Sequence, residues 1–101
     1  MQSFYPASFE RDMGTSESEW KAALPRAIGS QVRWRWEGAR QAVIDLPPGR
    51  LTLTWEPLPD RRIALLVMKR LLVRFEFEAV DDAARLAFMK PFDLTLQRGG
   101  G

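Results

Sequence analysis

The side chains that could carry out chemistry in this sequence are carboxylates and hydroxyls, because histidine and cysteine are both absent. Their absence removes the commonest general base and metal ligand, together with the Ser–His and Cys–His nucleophile pairs. Two acidic groupings remain: Asp81 beside Asp82, and Glu76 and Glu78 on one face of a predicted strand with Arg74. A helix N-cap explains the first grouping, and a solvated strand face explains the second. We therefore predict a non-enzymatic interaction or structural module without a cofactor or a metal site.

The alternation of arginine and tryptophan at residues 33–36 is the feature most typical of nucleic-acid binding. Tryptophans stack on bases and arginines contact phosphates. Strand alternation, however, directs both tryptophans inward to a core, and the net charge of +2 is small. Weak nucleic-acid binding is therefore kept as an alternative function, and nucleic acid is not the expected partner. The residues that would bind an anion are Arg33, Arg35, Arg61, Arg62, Lys69 and Arg70.

The most apolar stretch of the chain, residues 62–80, predicts two strands joined by a basic turn at Lys69 and Arg70. Residues 63–68 are apolar on both faces of a strand, whereas residues 73–79 alternate. A strand that is apolar on both faces is covered on both, so we expect a homodimer through the outer face of the sheet. The alternatives are an unknown protein partner, cover by the chain's own N-terminal segment, and a helix over residues 62–72. The candidate interface residues are Ala64, Leu66, Met68 and Leu72.

A further alternative function is the binding of a small apolar or anionic molecule between the predicted sheet and helices. Large aromatic side chains are expected on the faces that meet there, and aromatic pockets are typical ligand sites. The candidate groove residues are Trp20, Trp36, Trp55 and Phe88.

The elements that would position these residues begin with a strand and a helix. Alternation over residues 8–13 predicts an edge strand. Ser16 and Glu19 have the spacing of a capping box at the start of the first helix. Pro25 predicts a kink or a break in that helix near Leu24.

Four or five alternating strands then follow, separated by turn signals at residues 37–40, 47–49 and 57–60. One aspartate at residues 81–82 caps the last helix, in which Pro91 predicts a kink or a restart. Consecutive strands with short connections pair antiparallel. The predicted fold class is therefore α+β: an antiparallel sheet of about five to six strands in a meander, with two helices packed on one face, in the order β-α-β-β-β-β-β-α.

The length of 101 residues fits a single domain. We place this domain at residues 1–98 and expect a flexible glycine tail at residues 99–101. No apolar run is long enough to span a bilayer, and the N-terminus lacks the regions of a signal peptide. A cytoplasmic protein with no membrane partner is expected.

Residues 34–36 and the ending at residues 92–101 resemble short bacterial proteins of unknown function, and this resemblance implies no activity. The glycine tail alone resembles sulfur-carrier and ubiquitin-like proteins, whose terminal diglycine is activated and conjugated. Those proteins end on a strand, whereas this chain is predicted to end on a helix.

Overall fold

The computed structural model describes residues 4–98, which form one antiparallel sheet and two helices. The glycine tail predicted at residues 99–101 lies outside the described residues. The elements, in chain order, are β1 (Ser8–Met13), α1 (Glu17–Ile28), β2 (Trp34–Trp36), β3 (Gln41–Leu46), β4 (Gly49–Ile63), β5 (Leu66–Glu78) and α2 (Asp82–Arg98).

The sheet has five strands in the order β1-β5-β4-β3-β2. Strands β2 to β5 form a meander, and β1 pairs with the other edge of β5. Side chains from one face of the sheet and from both helices form a single core, so both helices cover that face. The opposite face, called the outer face below, carries polar side chains such as Glu10, Thr54 and Arg74. The predicted α+β class, meander and helix placement are confirmed, with five strands.

Helix α1 begins with the predicted capping box. The Ser16 hydroxyl accepts a hydrogen bond from the Glu19 backbone N–H at 3.2 Å, and the Glu19 carboxylate accepts one from the Ser16 backbone N–H at 3.2 Å. The predicted break at Pro25 is wrong, because the helix continues to Ile28. Pro25 is exposed, so its missing N–H frees only the Lys21 carbonyl, on the solvent side where water can satisfy it.

Helix α2 has Asp81 as its N-cap, since the Asp81 carboxylate accepts a hydrogen bond from the Ala84 backbone N–H at 2.9 Å. The helix runs through Pro91 without the predicted restart. Pro91 is also exposed, and its missing N–H leaves the Ala87 carbonyl without its helical donor. The N-cap interpretation of the acidic pair at residues 81–82 is thus confirmed.

The hairpin between β4 and β5 departs most from prediction. Its turn is at Ala64 and Leu65, with Ala64 at a φ of 53°. The predicted basic turn is wrong, because Lys69 and Arg70 lie within β5. The sequence misled here because neither turn residue is the glycine, asparagine or aspartate that usually takes positive φ.

The turn predicted at residues 57–60 is also wrong. The chain stays extended there, so β4 is a single strand of 15 residues with only a register shift between Leu58 and Arg61. Beyond Thr54, β4 pairs only with β5. Proline is tolerated on an edge that has no neighbour, which explains why the prolines in this segment do not end the strand.

Candidate functional site: the β4–β5 arm

The hairpin of β4 and β5 extends beyond the rest of the sheet as a two-stranded ribbon. Pairing with β3 ends at Thr54 and pairing with β1 ends at Leu71, so residues 58–70 have no third strand. We call residues 58–70 the arm. At about 3.3 Å per residue it is about 20 Å long. A two-stranded ribbon has marginal stability by itself, so we expect the arm to make further contacts.

The end of the arm exposes large apolar side chains on every side. Leu65, in the turn, is 99% exposed, and Leu66 beside it is 65% exposed. The register pairs Ile63 with Leu66, so these two and Met68 share the outer face, whereas Val67 lies on the opposite side. Contiguous exposed apolar patches are typical of contact surfaces in general. The exposed apolar residues of the arm are Ile63, Leu65, Leu66, Val67 and Met68.

Three of the four candidate interface residues, Leu66, Met68 and Leu72, lie on the outer face of β5. Ala64 instead lies in the turn, and Ile63 takes its place in the patch. The sequence did not identify Leu65, the most exposed leucine of the arm. With the turn predicted at Lys69 and Arg70, Leu65 was expected in the middle of a covered strand.

The arm concentrates the positive charge of the chain. It contains Arg61, Arg62, Lys69 and Arg70 against a single carboxylate, Asp60, for a net charge of +3, so the rest of the chain carries −1 of the total +2. Lys69 lies 3.3 Å from Asp60. Arg61 and Arg62 form no ion pair with any residue in the described range 4–98. The arm therefore carries cationic groups that are in no ion pair with a described residue next to an apolar end.

Ion pairs join the base of the arm to β1. The Arg70 guanidinium lies 2.5 Å from the Asp12 carboxylate, and the Arg74 guanidinium lies 2.5 Å from the Glu10 carboxylate. The Arg70 hydrogen bond holds the pKa of Asp12 below its usual value. Exposed pairs contribute little free energy, so these two pairs add to the backbone pairing of β1 with β5 and do not replace it.

A groove between the end of α1, the end of β3 and α2 is a second candidate site. Its volume is about 580 Å³. Apolar side chains including Ile28, Val32, Leu46 and Phe88 line it, and Arg26 is the only charged residue among its described lining. Phe88 is the only one of the four candidate groove residues that contributes to this groove.

The three tryptophans of that set lie elsewhere. Trp20 and Trp55 are buried in the core, with ring centroids 5.8 Å apart in an edge-to-face contact. Trp36 lies on the predicted inward face, across from buried Ala42 and with its ring centroid 6.3 Å from that of Trp55, but 44% of its surface remains exposed. It lies on the short edge strand β2, where the Lys21 ammonium is 5.9 Å from its ring centroid, and the helices cover it incompletely.

The six anion candidates do not form one surface. Arg33 and Arg35 lie at β2, where Arg35 pairs with Glu37 at 2.8 Å, and the other four lie on the arm. Across β3, Arg35 is level with Thr52 of β4. Arg61 is nine residues further along that strand, a distance of about 30 Å. A continuous basic surface, which nucleic-acid binding would need, is not formed by these residues.

A half-buried polar cluster was not anticipated from the sequence. The Tyr5 hydroxyl donates to the Asp93 carboxylate at 2.6 Å, and the Arg11 guanidinium donates to it at 2.7 Å. Burial and the Asp93 carboxylate raise the pKa of Tyr5, and the hydrogen bond to Asp93 raises the pKa of Arg11. Both groups therefore stay protonated at neutral pH and donate to Asp93, and the cluster ties β1 to α2. The sequence feature that could have indicated this cluster is Arg11, which shares the inward face of residues 8–13 with Phe9 and Met13.

The remaining carboxylates do not converge on a common point. Asp82 pairs with Arg85, whereas Glu76 and Glu78 are exposed on the outer face. Within residues 4–98, no group of three potential metal-ligating side chains is found.

Compared with known proteins, the chain matches no family model, no curated sequence and no solved structure. No helix in the described part of the chain is long and apolar enough to cross a membrane.

Proposed function

We propose that the protein is a non-enzymatic interaction module that forms a homodimer through the outer face of the arm. The observation that carries this proposal is the projection of Ile63, Leu66 and Met68 into solvent on a ribbon without a third strand. Burying three such side chains contributes on the order of 4–6 kcal/mol before association costs. A two-fold pairing of two arms would cover the outer face of both.

The positive charge of the arm makes formation of this dimer dependent on salt concentration. Two arms that each carry +3 repel when they approach. Salt screens this repulsion, so self-association is expected to strengthen as the salt concentration rises. Apolar contact, rather than ion pairing, is the attractive part of the interface.

We expect Leu66→Glu to convert the dimer into a folded monomer, because a carboxylate at the centre of the outer face cannot be buried without a partner. Light scattering after size exclusion gives the mass, and circular dichroism checks the fold. The matched control is Leu94→Glu, which makes the same change at an exposed leucine of α2 and is expected to remain dimeric. A native protein that stays monomeric at all concentrations and salt levels would disprove the homodimer.

The groove supports a second candidate function, the binding of a small apolar molecule with an anionic end. Its walls are apolar, and the Arg26 guanidinium at its edge forms no ion pair with the described residues. The volume of about 580 Å³ falls within the range of small-molecule sites. Such a molecule would place its apolar part against Phe88 and its charge near Arg26.

Filling the groove tests this candidate. We expect an anilinonaphthalene sulfonate dye to fluoresce on binding, and Ala87→Trp to abolish most of the signal by occupying the groove. Ala83→Trp, at an exposed position of α2 outside the groove lining, is expected to keep it. A signal that Leu66→Glu removes and Ala87→Trp spares would instead place the dye on the arm.

A further inference from the structure

We propose that the arm also docks the protein on an anionic lipid bilayer. The end of the arm would enter the boundary between headgroups and acyl chains, and the basic residues behind it would contact lipid phosphates. This inference goes beyond the homodimer, does not require it, and departs from the sequence-based expectation of no membrane partner. Both proposals use the outward apolar side chains of the arm, whereas Leu65, Val67 and Arg62 serve lipid docking alone.

The first argument is that the end of the arm is apolar on all sides. Ile63 and Leu66 face outward, Val67 faces the opposite side, and Leu65 projects from the turn with 99% of its surface exposed. A second arm packed on the outer face leaves Leu65 and Val67 uncovered. A bilayer, by contrast, surrounds an inserted segment on every side.

The second argument is the position of the positive charges. Arg61 pairs with Met68 on the outer face, and Arg62 pairs with Val67 on the opposite face. They lie two to three residues from the turn, which is about 7–10 Å along the strand. Interfacial segments bury their apolar part about 5–10 Å deep. At that depth the basic side chains reach the level of the lipid phosphates on both faces of the arm.

The third argument is charge complementarity. The arm carries +3 and the rest of the chain carries −1. An anionic surface therefore attracts the arm, whereas the rest of the molecule is nearly neutral, and this difference orients the protein with the arm toward the lipid. Arg61 and Arg62 are available for this contact, since neither forms an ion pair with a described residue.

Vesicle co-sedimentation of the whole chain tests the proposal. Vesicles of pure phosphatidylcholine are compared with vesicles in which about a third of the lipid is phosphatidylglycerol. We expect binding to the anionic vesicles only, and we expect it to weaken as salt rises. Arg62→Glu is expected to weaken binding about 25-fold, since each charge near the surface contributes about fivefold. Leu65→Ser is expected to weaken it about tenfold.

The control is Lys90→Glu, which makes the same charge change at an exposed lysine of α2 outside the groove lining and is expected to keep binding within about twofold. Absence of binding to anionic vesicles, or equal losses for Lys90→Glu and Arg62→Glu, would overturn the proposal. The oligomeric state is measured on the same samples. A native monomer that binds vesicles refutes the homodimer alone, and a dimer that does not bind refutes lipid docking alone.

Discussion

The Arg85→Met variant is expected to have a free energy of unfolding about 3 kcal/mol below that of the native protein. Arg85 is only 8% exposed. Its guanidinium donates to the backbone carbonyls of Tyr5 at 2.7 Å and Val80 at 2.6 Å, and it pairs with Asp82. Methionine keeps the apolar stem but has no donor. It therefore leaves both carbonyls without this partner, at a cost of about 1–3 kcal/mol each.

Urea unfolding followed by tryptophan fluorescence measures this loss. The control is Arg26→Met, the same substitution at an exposed arginine without an ion pair to the described residues, and a change within about 0.5 kcal/mol is expected there. A loss below about 1 kcal/mol for Arg85→Met would show that water replaces the guanidinium and that Arg85 does not join these segments.

Arg85 contributes to the candidate site because it holds the segment that precedes β1. The Tyr5 carbonyl belongs to the segment that leads into β1. Strand β1 in turn supplies Glu10 and Asp12, which pair with β5 at the base of the arm. A buried contact on the helix side of the sheet therefore helps to set the edge from which the arm leaves.

The parts of this structure that sequence predicts well are local. The capping box of Ser16 and Glu19, the alternation of β1 and the turn at residues 47–49 each depend on neighbours within a few residues. The two helix prolines show the limit of such reasoning. Pro25 and Pro91 disfavour a helix locally, but burial of the opposite side of each helix outweighs the loss of one exposed hydrogen bond.

The position of the arm's turn was not predictable from turn residues. Ala64 adopts positive φ, a conformation that costs alanine about 1–2 kcal/mol. Pairing over the full length of β4 and β5 sets the register, and this pairing places the turn at residues 64–65. The candidate interface was partly predictable nonetheless, because alternation in β5 puts Leu66, Met68 and Leu72 on one face wherever the turn lies.

The long-range polar contacts were not predictable for a different reason. Asp93 binds Arg11 and Tyr5 across more than 80 residues of chain. No local pattern selects those partners among the charged residues of the sequence. The groove was not predictable for the same reason, because its walls come from α1, β3 and α2, which only the folded chain brings together.

The two proposals for the arm respond to salt in opposite directions. Self-association of two +3 arms strengthens when salt screens their repulsion, whereas docking on an anionic bilayer weakens when salt screens the attraction. Measuring mass and vesicle binding over one salt series therefore separates the two contacts without any mutation. Leu66→Glu then tests the dimer contact on the outer face, and Arg62→Glu tests the lipid contact on the opposite face.

The Gly49→Ala variant is expected to lose about 2–3 kcal/mol of stability, because β4 passes β5 too closely at this end of the hairpin for any side chain. A Cβ at Gly49 would overlap the Glu78 carbonyl oxygen and lie 2.6 Å from the Ala79 carbonyl. These obstacles are backbone atoms, so one strand must shift to make room.

Thermal and urea unfolding of Gly49→Ala and Gly14→Ala compares a crowded glycine with an open one. A Cβ at Gly14 meets nothing within 4 Å, so its replacement is expected to change stability by no more than about 0.5 kcal/mol. Equal stability of the two variants would mean that β4 and β5 separate at this end at little cost. The close approach would then not fix the pairing of the two strands, and the arm would need another source for its register.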